Sequence, residues 1–107
     1  MSNETNLAQI SEKYLKKLLP NVSSRRYFQT CEPSLLPEAF KKLDRALTLF
    51  SLHPENYKYH RILVNYYVKG YRLFKISQLE NNSYNKISFY KRQALASFYK
   101  FIPPEER

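Results

Sequence analysis

Apolar residues recur every three or four positions along most of this chain, the spacing that gathers side chains on one face of a helix. Leu7, Ile10, Tyr14 and Leu18 predict a first helix over residues 4–19. Pro20 stops it, because the residue before a proline is pushed out of the helical region. The pattern is weakest in residues 21–33, where the expectation extends only to a short helical turn around residues 23–28. A second helix is expected to open at Ser34 as N-cap, with Pro37 and Glu38 in the first turn, where both are favoured. Its apolar stripe is Leu35, Ala39, Leu43, Ala46, Leu47 and Phe50, reaching to about residue 52, with Lys41, Lys42, Asp44 and Arg45 facing away from most of it. His53-Pro54 closes that helix, and Pro54 with Glu55 starts the next.

Residues 55–79 read as one long third helix. On a wheel of about 100° per residue, Tyr59, Ile62, Leu63, Tyr66, Leu73 and Phe74 fall on one side, and Val64, Val68 and Tyr71 fill the sector beyond. A helix apolar around so much of its girth is normally central. Leu63 and Phe74 share its most apolar sector and are expected in the core. Gly70 lies inside it at a cost of about 1 kcal/mol relative to Ala, which a close helix crossing or a kink would rationalise. Asn81-Asn82-Ser83 predicts a turn. A fourth helix follows over 84–101, with Ile87, Tyr90, Ala94, Leu95, Phe98, Phe101 and Ile102 on its core face and Pro103-Pro104 at its end.

Composition supports this picture. One glycine in 107 residues leaves little material for hairpins or phosphate-cradling loops, both of which need positive φ or close backbone approach. The six prolines all fall at element boundaries. The expected architecture is therefore all-α: a single basic domain over residues 1–107, built as a compact bundle of about four helices around a long central third helix. No apolar run approaches the roughly 20 residues needed to span a bilayer. Glu4 and Glu12 interrupt the first nineteen residues, which argues against a signal or transit peptide. With Cys31 as the one cysteine, no intramolecular disulfide forms, and a soluble intracellular protein of the cytoplasm, nucleus or nucleoid is the expectation.

Charge changes the picture most. Residues 56–104 carry nine Lys/Arg against one acid, Glu80, whereas residues 1–55 carry eight basic and six acidic residues. The basic half also holds eight of the ten tyrosines and four of the seven phenylalanines. Such a balance points to a polyanion, most simply RNA or DNA. On the long third helix Lys58, Arg61, Lys69 and Arg72 fall within about 80° of one another, with Lys75 at their edge and no acid between Glu55 and Glu80. Cations repeating on one helix side can meet successive phosphates. Arg25 and Arg26 are candidates to join them from the preceding loop. Tyr57, Tyr67, Tyr71 and Tyr99 lie off the best apolar sectors and are candidates for stacking on bases, although tyrosine equally suits a protein interface.

Catalytic patterns are missing. The one aspartate and eight glutamates are scattered, whereas acid/base or two-metal chemistry needs acids clustered at one place. His53 and His60 lack cysteines or carboxylates arranged around them for zinc. Arg45 and His53 do not reproduce the close Arg–His spacing of some helical ribonucleases, and Cys31 has no sequence-adjacent base. No cofactor, metal or small-molecule substrate is expected. Ala39, Leu43 and Ala46, followed by Pro54-Glu55-Asn56, resemble the second helix and exit of a tetratricopeptide repeat. The proline arrives three residues late, and Arg26-Tyr27 stands where that repeat has Leu-Gly. The likeness implies a helical hairpin and no more. The expected function is non-catalytic nucleic-acid binding through phosphates, with a ribonucleoprotein as one setting for it. The alternative is a helical adaptor or subunit that binds another protein through its aromatic surface, and peripheral attachment to anionic membrane ranks third.

Overall fold

The computed structural model describes residues 3–107, with side chains from residue 5 onward. Six α-helices succeed one another: α1 Asn3–Leu18, α2 Val22–Thr30, α3 Glu38–Ser51, α4 Tyr57–Leu63, α5 Leu73–Leu79 and α6 Tyr84–Phe98. Among the described residues there is no strand, in line with the all-α expectation. The radius of gyration is 13.4 Å, close to the ~13 Å of a folded chain this long.

The centre of the fold is α6, which packs against α1, α4 and α5. This corrects the expectation of a long central third helix. Residues 55–79 do not form one rod. After α4 the chain widens into a π-helical turn, Val64–Val68, in which the Lys69 amide donates to the Val64 carbonyl at 2.9 Å. Gly70 then adopts φ +75°, a left-handed conformation that costs glycine nothing and ends helices. The Tyr71 amide reaches back to the Asn65 carbonyl at 2.8 Å, and Arg72, extended at ψ 155°, precedes α5. So the glycine marks a break, and the apolar wheel drawn through it does not hold. Leu63 is 1% exposed as expected, but Phe74 is 64% exposed and outside the core.

The main core gathers Leu15, Leu43, Phe50, Leu63, Phe98 and Ile102 from α1, α3, α4, α6 and the chain beyond α6, each almost fully buried. Phe50 meets Phe98 edge-on at 5.4 Å and Phe101 likewise at 5.4 Å, arrangements that add to plain area burial. A second cluster, Ile62, Ile76 and Ile87, joins α4, α5 and α6. The buried Asn56 side chain donates to the Phe50 carbonyl at 3.1 Å and fixes the corner between α3 and α4.

Other boundaries shifted for local reasons. Ser34 is not a cap: residues Pro33–Leu35 form a separate 3-10 turn, and α3 starts at Glu38 after Pro37. Leu35 and Ala39 are accordingly exposed rather than part of the stripe, while Leu43, Ala46, Leu47 and Phe50 are buried. On α1 the buried line runs through Ala8, Ser11 and Leu15 as well as Tyr14 and continues to Leu19 just past its end, with Leu7, Ile10 and Leu18 half-covered beside it. The 21–33 segment holds a full helix, α2, opened by a reciprocal cap in which the Ser24 amide donates to Asn21 Oδ1 at 2.9 Å and the Asn21 amide to Ser24 Oγ at 3.2 Å. Ser83 caps α6 by accepting from the Lys86 amide, and Asn81, at φ 53°, turns the chain out of α5.

Candidate nucleic-acid interface

The break at Gly70 decides where the cations go. The π-helical turn frees the Val68 carbonyl, and Gln29 of α2 satisfies it with a hydrogen bond of 2.9 Å from Nε2, which also donates to the Arg25 carbonyl at 3.1 Å. This ties α2 to the break and lays the Arg25 side chain on Gly70: a Cβ there would sit 2.9 Å from Arg25 Nε. A glycine is required twice over, for its φ and for this close approach.

Arg25 and Gly70 stand between two recesses. The larger, about 710 Å³, is lined by Lys16, Arg25 and Arg72 together with the rings of Tyr66, Tyr67, Tyr71, Phe74 and Tyr84. The smaller, about 440 Å³, brings Arg26 and Lys69 to Arg25. No acidic residue lines either recess. Among the described residues, Arg25, Arg26, Lys69 and Arg72 have no carboxylate within 4.0 Å. Four of the seven residues singled out from the sequence thus meet here, with Lys75 close by: its ammonium lies 3.8 Å above the ring of Tyr71.

Lys58 and Arg61 belong elsewhere. Arg61 grips Glu80 with two bonds, Nε to Oε2 at 3.0 Å and Nη2 to Oε1 at 2.9 Å. Only 9% of the Glu80 side chain is exposed, and the guanidinium holds its carboxyl below the usual range despite that burial. Lys58 sets its ammonium 3.6 Å over the ring of Tyr90, the cation–π geometry. The single-helix stripe expected to carry all four cations is therefore divided. Arg61 is paired with a carboxylate and Lys58 sits close on Tyr90, whereas among the described residues Lys69 and Arg72 have no carboxylate partner and Lys69 only a distant ring, Tyr71 at 5.8 Å.

Beneath the larger recess the Tyr67 hydroxyl donates to Glu12. Burial raises the Glu12 carboxyl, but this hydrogen bond and the charges of Lys91 and Lys16 outweigh it, so the group stays ionised to lower pH than usual. Burial and the same carboxylate push the Tyr67 hydroxyl far up. Tyr67, expected from the sequence as a stacking candidate, is 5% exposed and belongs to the core. Tyr57 is exposed, while Tyr71 and Tyr99 are half-covered, Tyr99 with Arg107 over its ring.

Sequence reasoning missed Lys16, Phe74 and Tyr84 as lining residues. Lys16 sits in the charge-balanced half, and nothing local to Phe74 signalled exposure. Asn21 and Ser24, three apart after Pro20, were a legible cap for α2. His53 Nδ1 lies 3.8 Å from Glu55, and among the described residues no three His, Cys, Asp or Glu side chains gather where a metal would sit. No helix among the described residues is long and apolar enough to cross a membrane. No family model, curated protein or solved structure matches this chain, so the tetratricopeptide-like hairpin stays a likeness of pattern.

Proposed function

We propose that this chain is a non-catalytic nucleic-acid-binding protein whose interface is the basic recess pair around Gly70. The observation that carries this is the meeting of Arg25, Arg26, Lys69 and Arg72 with no carboxylate partner among the described residues. Cations placed only for solubility are normally interspersed with acids, as they are elsewhere in this molecule: Lys17 pairs with Glu106 at 3.1 Å and Lys42 with Glu105 at 2.8 Å. Polyanion binding exploits unpaired cations because each phosphate contact releases condensed counterions. Lys16, Lys75 and Tyr71 extend the surface.

The test is equilibrium binding of the whole chain to RNA and DNA oligonucleotides over a range of salt. Affinity is expected to fall steeply as salt rises. No measurable binding at about 50 mM salt would end the reading. The adaptor alternative draws support from Leu49 near the end of α3 and Leu52 just past it, 45% and 65% exposed. A partner bound there would be held with little salt dependence.

A further inference from the structure

The rings around the larger recess differ in what already occupies them. Tyr66 and Tyr67 pack edge-on at 4.8 Å, and the Lys91 ammonium lies 4.2 Å over Tyr66. Tyr71 is covered by Lys75. Phe74 and Tyr84 alone among these five have neither an aromatic partner nor a cation over the ring, and they are 64% and 53% exposed. Both stand at a concave site also lined by Arg25 and Arg72, whose guanidinium groups have no carboxylate partner among the described residues.

From this, and resting on the nucleic-acid reading above, we infer that the recess takes a single strand: an unpaired base stacks on Phe74 or Tyr84 while Arg25 and Arg72 hold the flanking phosphates. Three physical points support it. A volume of about 710 Å³ lies in the range of pockets that enclose a small molecule, and it matches one or two nucleotides rather than a duplex. Bases in a duplex present their faces only to each other, so a free aromatic face gains from a strand whose bases are unstacked. Phenylalanine offers a ring face but no hydrogen bond, so contact through Phe74 favours no particular base and predicts tolerance of sequence.

The chain has no tryptophan, so Phe74→Trp provides a unique indole fluorophore that keeps a stacking face. Three probes are titrated at the same low salt: a short oligothymidine, a blunt duplex of equal length, and an abasic strand with the same number of phosphates. Oligothymidine is expected to bind more tightly than the duplex and to quench the indole emission of that variant, whereas the abasic strand binds more weakly and leaves the emission unchanged. Phe74→Ala and Tyr84→Ala, both at exposed positions, should stay folded by circular dichroism, and at least one should lose roughly 5- to 100-fold in affinity for oligothymidine. Their dependence on salt should keep the wild-type slope, since no phosphate contact is removed. Equal or tighter binding of the duplex, or unchanged oligothymidine affinity in both alanine variants, would overturn single-strand stacking and leave phosphate binding standing. Failure of all three probes to bind would overturn both.

Discussion

Lys58 and Arg61 on α4, and Lys69 and Arg72 flanking Gly70 in the break that follows it, look alike in sequence and differ in everything that matters for binding. The first pair is engaged by protein groups at the surface, Arg61 by the nearly buried Glu80 and Lys58 by Tyr90. Among the described residues the second pair has no carboxylate within 4.0 Å, and it lines the recesses with Arg25. Apolar residues divide the same way: Leu63 is 1% exposed and Phe74 64%. A charge or a ring is available to a ligand only where the fold has not already given it a partner, and here the π-helical turn with its left-handed glycine marks where α4 ends and the second pair begins.

The largest expected effect contrasts the two apolar residues. Leu63→Ala should cost about 2–5 kcal/mol in urea unfolding, since it empties space in the main core, while Phe74→Ala should stay within about 0.5 kcal/mol. Similar losses from both would restore a continuous apolar helix and break the comparison. Gly70→Ala comes next. A side chain at φ +75° costs roughly 1–2 kcal/mol, and its Cβ would press on Arg25 Nε at 2.9 Å. Stability should fall by about that amount, and oligonucleotide affinity should fall with it because Arg25 is displaced.

Smaller, and sharper, is the difference between the arginines. Arg61→Gln should cost about 1–2 kcal/mol by stranding Glu80, whereas Arg72→Gln should leave stability within about 0.5 kcal/mol. The pH dependence follows from the same pair. Glu80 is held below its ordinary value of 4.5 in the folded state, first by the Arg61 hydrogen bonds. Its contribution is therefore present above pH 4.5 and lost as pH falls through the lowered value. In Arg61→Gln the acid-induced loss of stability should shrink. An unchanged acid limb would mean that Glu80 owes its low pKa to something other than Arg61.

Much of the helix content was legible because its signals are local. Pro20, Pro54 and Pro103 bound helices by sterics, Asn81 to Ser83 turned as expected, and Leu43, Ala46, Leu47 and Phe50 were buried by their period alone. The break was illegible apart from Gly70 itself. Apolar residues continue through it at helical spacing, since Ile62 and Ile76 serve the same small cluster from two separate helices. A π-helical turn and a left-handed residue then rotate everything downstream, which moved Phe74 from the core sector to the surface. The charge pattern failed for a different reason. Arg61 and Glu80 lie 19 residues apart, and they meet because the chain reverses after Gly70. Arg25 reached the site because Gln29 caps Val68, a contact 39 residues apart that no spacing reveals.

The central claim is that unpaired cations, not total charge, make the interface. The direct measurement is the slope of log affinity against log salt for two charge-matched variants, Lys69→Gln with Arg72→Gln and Lys58→Gln with Arg61→Gln. Each removes two positive charges. The first pair should weaken binding and flatten the slope by about 1.4 for a single strand or 1.8 for duplex DNA, and the second should leave the slope at its wild-type value. Equal flattening by both pairs would contradict the account, because binding would then follow net charge and the division between α4 and the break after it would have no functional meaning.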